Sequence, residues 1–531
     1  MNILNKIDRK IEDINSKTEL LTVILLSFIL VFGVVLGIGT LTCGYHLVDD
    51  HQILQWAYEM NDQKESVWEI IKRELRIDFS IRYRPAFIII HILKVKLLGI
   101  NLAYHSMIKA VETFMSCIFL YYCGKHMGVK RVYAFLFAAV SLVGYQSATW
   151  WKLGTHEIQG TLLFSIGFYC LLKWLEKRRI HWAVVSVISF TLMANYKESF
   201  ILLAPFIMLY VVYYELIKER EFSWKLLWEC IKKNLGYLIV LGVVFLIPVI
   251  IIVCFVGTSN YDMVGLDASV PLENYATAIT DAFRTDLKWY KRFGILFLLI
   301  MITYWENLKK LWKEILLFAA FLIPQFVIYG QCGIRERYIL PCSIGFAFFF
   351  VIIGSKWKAL SGKRRAVYIF GILLLLAAHG RAALREADYF RYRGEGITTM
   401  LETVQNISEE NQDTKILSCF RPNEEGNLTV YYWMLNQGFD NVYYWTEEDQ
   451  MINRVVDINL SYPEERYEEQ DFEDMDIVVM YNKEDRHWCY SPSLDLTEFT
   501  EYPCGTMNIY IRNGSGIIPP KINVAGLKVN F

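Results

Sequence analysis

Four short clusters carry side chains able to do chemistry. Asp49, Asp50 and His51 follow the first apolar run in CGYHLVDDHQILQW. A general base needs an ionised oxygen within reach of a hydroxyl. Two adjacent acids can divide the work, one taking the proton while the other holds a metal or orients its neighbour. His156 and Glu157, in WWKLGTHEIQG, offer two ligands for a divalent metal ion or a proton relay. The preceding Trp150 and Trp151 suit a membrane interface or the face of a sugar ring. Lys197 and Glu198 sit in a turn between two closely joined apolar runs, where a charged pair is costly unless it is paired or functional. Arg335, Glu336, Arg337 and Tyr338 fall between two further runs, and paired arginines there can clamp a phosphate. Arg82 and Arg84, and Arg381 and Arg385, are weaker versions of the same signal. Each cluster also has a plainer reading: a solvated loop start, an interfacial cap, a structural ion pair, or arginines reaching lipid headgroups.

The elements that must position these groups are read from composition. Of 531 residues, 54% are hydrophobic and 15% aromatic, with a net charge of -1. That profile predicts a polytopic α-helical membrane protein rather than a soluble enzyme. Residues 20–41 lack any charge and any small-residue cleavage site, so they read as an uncleaved first span. Further apolar runs lie at about 104–123, 132–149, 158–175, 182–195, 199–215, 235–256, 292–305, 313–330, 337–355 and 366–383, giving about 11 transmembrane helices. The run at 85–99 opens on proline and contains His91, Lys94 and Lys96. If it does not cross, every basic short loop falls on one side, as the preference for cytoplasmic Lys and Arg requires.

This arrangement predicts a cytoplasmic N-terminal segment (1–19), a transmembrane domain (20–385) in the plasma membrane, and one long external loop (42–103). All four clusters then lie on the external face at lipid-headgroup depth. From Leu384 onward, 27 acids stand against 12 Lys and Arg, which predicts a separate soluble extracytoplasmic domain over 386–531. KILSCF, NVYYW, DIVVMY and MNIYIR read as its strands, in a small α/β or α+β fold. It has no phosphate loop, metal spacing or nucleophile elbow, and no chemistry is assigned to it.

The order of the motifs resembles the GT-C class of polyprenyl-phosphate-sugar-dependent glycosyltransferases, such as protein O-mannosyltransferases and aminoarabinose transferases. The likeness rests on the acids after the first span (Asp49, Asp50), an RxRP-like entry (Arg82, Arg84, Pro85) to an apolar helix ending LLGIN, and Glu157. It continues with the pair Lys197-Glu198 and the element Arg335-x-Arg337-Tyr338. The resemblance implies an inverting transfer of a sugar from a polyprenyl phosphate to a hydroxyl of a cell-envelope glycan, lipid or protein. Asp50 is expected as the base, with Asp49 second. Lys197, Arg335 and Arg337 would stabilise the leaving phosphate, aided by a divalent metal ion at His156 and Glu157; His51, Arg82, Arg84, Glu198, Tyr338, Trp150 and Trp151 would contact substrate. The expected partners are the lipid-linked donor, the envelope acceptor and membrane lipid, with no nucleic acid. The rival readings are a lipid-linked glycan polymerase or ligase and a transporter or flippase of such glycans. A transporter should place its charges near the midplane and show internal repeats.

Overall fold

A computed structural model describes residues 11–47, 49–217, 222–256, 272–284, 311–334, 336–356, 363–420, 425–446, 451–454, 469–482, 494–519 and 521–528. Helix α1 (Ser16–Ile38) starts where the Asn15 side chain accepts the Thr18 N–H at 2.9 Å, and ends on Gly39 at φ 99°, a conformation that glycine adopts without steric cost. Val23, Ser27, Val31 and Val35 recur every four residues and are buried, whereas Leu21, Leu25, Phe28 and Ile29 are exposed. One stripe packs into the bundle and the other suits lipid. At the start of α1, the buried Glu19 accepts hydrogen bonds from Tyr121 (2.9 Å), Lys125 (2.5 Å) and Arg131 (2.7 Å).

Three short helices follow: α2 (His51–Asn61), α3 (Val67–Ile81) and α4 (Pro85–Leu98). At 14 residues, α4 is too short to cross a hydrocarbon core of about 30 Å at 1.5 Å per residue. The bundle continues with α5 (Leu102–His126), α6 (Arg131–Leu142), α7 (Glu157–Lys177) and α8 (Ile180–Ala194).

Seven helical stretches among the described residues are long and apolar enough to cross a membrane: Ser16–Ile38, Glu157–Lys177, Glu198–Leu216, Leu235–Val256, Trp312–Gly330, Glu336–Ile353 and Tyr368–Glu410. By this measure the chain is a membrane protein. Helices α5, α6 and α8 also run between the two ends of the bundle: Lys125 and Arg131 meet Glu19 at the start of α1, and Lys197, just after α8, meets Glu157 at the start of α7. Helices α6 and α8 have 12 and 15 residues and α5 carries Lys109, Glu112 and Lys125, so of the expected count of about 11, seven stretches among the described residues are both long and apolar enough. The expected span at 292–305 lies outside the described residues.

The last helix of the bundle, α9 (Lys363–Glu410), is 48 residues long and runs unbroken past the expected domain boundary. Beyond it lies a mixed seven-stranded sheet, in the order β4-β3-β2-β1-β5-β7-β6. Its strands are β1 (Ile416–Cys419), β2 (Val442–Thr446), β3 (Met451–Arg454), β4 (Glu469–Gln470), β5 (Ile477–Tyr481), β6 (Phe499–Cys504) and β7 (Met507–Arg512). Strand β1 is parallel to β2 and β5, and the other pairs are antiparallel. The β1–β2 crossover is made by α10 (Glu425–Asn436). All four strand-like runs in the sequence fall on β1, β2, β5 and β7.

This sheet domain shares its core with the 42–103 segment. One hydrophobic cluster joins Ile53, Leu54 and Trp56 of α2 and Phe87 and Ile92 of α4 to Ile397 of α9, Val430 of α10 and Ile477 of β5. The contact is close: Gly44, at φ 87°, would drive a Cβ into the Thr398 hydroxyl of α9. The acidic third is therefore packed on the loop that carries Asp49 and Asp50, which gives it a route to the site that a separate unit would lack.

Candidate active site

Glu157, Glu198 and Glu336 each open a spanning stretch, while Asp49 lies just beyond the end of α1. The contacts between them put these residues at one end of the bundle. Arg337 is central: its Nη1 is 3.8 Å from Asp49 Oδ2, and its guanidinium lies 5.3 Å from the Tyr338 ring centroid. Lys197 covers the same ring at 4.8 Å while its ammonium bonds Glu157 Oε1. The Lys197–Glu157 pair is almost wholly buried. In that setting each charge depends on the other, because desolvation of an unpaired ion is severe.

The adjacent acids Asp49 and Asp50 face different ways. Asp50 is fully buried, and its Oδ2 accepts the His46 backbone N–H at 2.5 Å. Asp49 adopts the left-handed conformation, φ 56°, and its side chain is 37% exposed. A substrate hydroxyl can therefore reach Asp49, whereas Asp50 closes a backbone turn. Burial alone would raise the Asp49 pKa. The guanidinium groups of Arg337, Arg82 and Arg84 outweigh it and hold the carboxyl below its usual range. His51 goes the other way: burial lowers it to about 4, against the pull of Asp49. Its Nδ1 lies 3.9 Å from Glu425 Oε2.

A second layer is built on Arg84, at the N-terminus of α4. Asp78 Oδ1 accepts from Arg84 Nε (3.0 Å) and Nη2 (2.5 Å), and Oδ2 accepts the Arg84 backbone N–H at 3.0 Å. The remaining Nη1 points at His156 Nε2, 2.9 Å away. Since arginine only donates, that histidine nitrogen accepts, and the ring is neutral. Burial, then Lys197, Arg84, Arg337 and His91, push the His156 pKa well below its usual value. Its ring packs on Phe87 with centroids 3.7 Å apart. Glu198 Oε1 accepts the Tyr83 N–H at 3.4 Å, and Tyr83 Oη donates to Asn195 Oδ1 at 2.9 Å. These bonds tie the Arg82–Arg84 segment to the 195–198 turn.

The loop before His156 is fixed from below. Lys109 of α5, buried, donates to the carbonyls of Lys152, Leu153 (2.9 Å) and Thr155 (2.5 Å). Lys152 in turn pairs with Glu336, linking this loop to the Arg337 turn.

Some sequence expectations are redistributed. Trp150 and Trp151 are each 1% exposed and pack edge-to-face inside the membrane-domain core, so their rings are not available to a sugar. Arg335 lies outside the described residues. Arg82 is half-buried and acts on Asp49 through its charge. His156 and Glu157 do not fit a divalent metal ion: Arg84 faces one and Lys197 bonds the other, and no group of three or more candidate ligands occurs among the described residues. No reaction step is routed through a metal.

Sequence reasoning missed Asp78, Lys109 and Glu425. Asp78 is six residues before Arg84, with RYR on its far side, and an acid placed to face those arginines was a readable signal. Lys109, a lone lysine in an apolar helix, was another. Glu425 sits among many acids of the C-terminal third and had no local signature. Compared with known proteins, the chain matches no family model and no curated protein.

Proposed function

We propose that the chain is a membrane glycosyltransferase that moves a sugar from a polyprenyl-phosphate donor to a hydroxyl of a cell-envelope glycan, lipid or protein. The observation that carries this reading is the convergence of one accessible carboxylate, Asp49, with the cations Arg337, Lys197 and Arg84 at one end of the membrane helices. That is the depth at which a lipid phosphate lies, and the motif order shared with GT-C enzymes points the same way. The external face is the side that the bias of Lys and Arg in the short loops favours for this site.

Asp49 takes the proton from the acceptor hydroxyl as its oxygen attacks the anomeric carbon. The bond from that carbon to the phosphate oxygen breaks, its electron pair leaves with the phosphate, and the configuration inverts. Charge grows on the departing lipid phosphate as the bond breaks. Arg337, Lys197 and Arg84 are held by Tyr338, Glu157 and Asp78 in advance, so they stabilise this charge without reorganising. A lipid-linked glycan polymerase or ligase would share the leaving group and differ in the acceptor.

The test is binding. The full-length protein in nanodiscs, probed by native mass spectrometry, is expected to retain a polyprenyl phosphate in preference to the matching polyprenol. Equal retention of the two would remove the phosphate from the reading.

A further inference from the structure

The reaction above uses nothing from the sheet domain, yet that domain reaches the site. Glu425 opens α10, and its carboxyl Oε2 accepts the Asp49 backbone N–H. The contact spans 376 positions of sequence. It is supported on both sides. Helix α10 packs on α2, and Asn436 Nδ2 at its far end donates to the Leu54 carbonyl at 3.0 Å. At its near end, Asn427 Oδ1 accepts from Ser418 Oγ at 2.7 Å and from the Phe420 N–H at 3.3 Å, fixing the first turn to the end of β1.

Only one of two neighbouring acids can face the site, and the choice is made by backbone geometry. Asp49 must stay in the left-handed region, which residues with a Cβ adopt reluctantly. Its N–H then points at Glu425, its carboxylate lies beside Arg337, and Asp50 turns back to the His46 N–H. We propose that Glu425 is the positioning residue that holds Asp49, rather than Asp50, toward the acceptor, so that the C-terminal domain completes the catalytic site. The catalytic consequence rests on the transferase reading; the contact does not.

The titratable groups facing Glu425 are Asp49, Asp50, His51 and Arg337. Burial, then the two aspartates, raise its pKa well above the usual range, and glutamine keeps its shape and an oxygen at the same place. A glutamine oxygen still accepts the Asp49 N–H; alanine offers nothing.

Two measurements on full-length Glu425→Ala and Glu425→Gln variants test this. Hydrogen exchange in nanodiscs reports the Asp49 amide, and complementation of a deletion strain reports the envelope substituent that the wild-type gene restores. Glu425→Ala is expected to speed Asp49 amide exchange by about tenfold or more, and to cut transfer about 100-fold, the scale on which small misplacements of a catalytic group act. Glu425→Gln should keep both within about threefold, since an oxygen acceptor for the Asp49 N–H is retained. If Glu425→Ala leaves the amide protected, the positioning contact is refuted. If Glu425→Gln is as inactive as Glu425→Ala with the amide still protected, Glu425 transfers a proton and does not merely position. Full activity in Asp49→Asn would instead overturn the transferase reading itself, whatever the exchange data show.

Discussion

Lys197→Met is expected to abolish transfer and to destabilise the folded protein by about 3–5 kcal/mol, the range for breaking one side of a buried ion pair. The reason is Glu157, which is fully buried and whose Oε1 is held by Lys197. Methionine fills the space of the lysine stem but leaves the carboxylate without its cation. Activity falls because the same ammonium, resting over Tyr338, is one of the charges waiting for the leaving phosphate. The two effects separate in a double variant. Glu157→Gln with Lys197→Met removes both charges, so thermal unfolding of the purified protein should recover most of the lost stability, since the pair is coupled. Transfer, scored by complementation at matched expression, should stay lost. Recovery of transfer along with stability would show that the pair is only a strut.

Arg337→Lys should cost about 100-fold to 1,000-fold in transfer, the loss typical of removing one preorganised donor from a developing charge. Arg337 lies beside the Asp49 carboxylate and against the Tyr338 ring. A lysine preserves the charge but not the planar fork that serves both contacts. The variant should fold, because Tyr338 and Lys197 still cover each other. Binding of polyprenyl phosphate to the variant, measured as for the wild type, should weaken much less than turnover. Equal losses in binding and turnover would place Arg337 in ground-state recognition alone.

The site was largely legible as a set of clusters, because charge at the ends of apolar runs is costly and conspicuous. Asp49, Glu157, Lys197 and Arg337 stand out for that reason and do meet. What failed was detail that depends on backbone angle or on distant chain. Nothing in the dipeptide Asp49-Asp50 says which carboxylate turns outward; that follows from φ 56° at Asp49 and from a hydrogen bond to Glu425 across the fold. Trp150 and Trp151 read as an interfacial belt, but they fall at the end of a 3₁₀ turn (Tyr145–Trp150) and just after it, and both rings are tucked into the core. Apolar runs marked the spans, and seven of them are helical stretches long and apolar enough to cross a membrane among the described residues, because an uninterrupted apolar run of that length is conspicuous in sequence. The acidic third was read as detached because net charge describes its surface. The apolar face it lays on α2 and α4 is spread over α9, α10 and the sheet, with no continuous stretch to notice.

The central claim is that Asp49 is the base of a transfer from lipid phosphate. The most direct measurement compares Asp49→Asn with Asp50→Asn, each expressed at the wild-type level in the deletion strain, by the amount of envelope substituent restored. An asparagine at 50 can still accept the His46 N–H, so Asp50→Asn should keep most of the transfer. Asp49→Asn should restore none, because an amide cannot take the acceptor proton. Full restoration by Asp49→Asn would contradict the account.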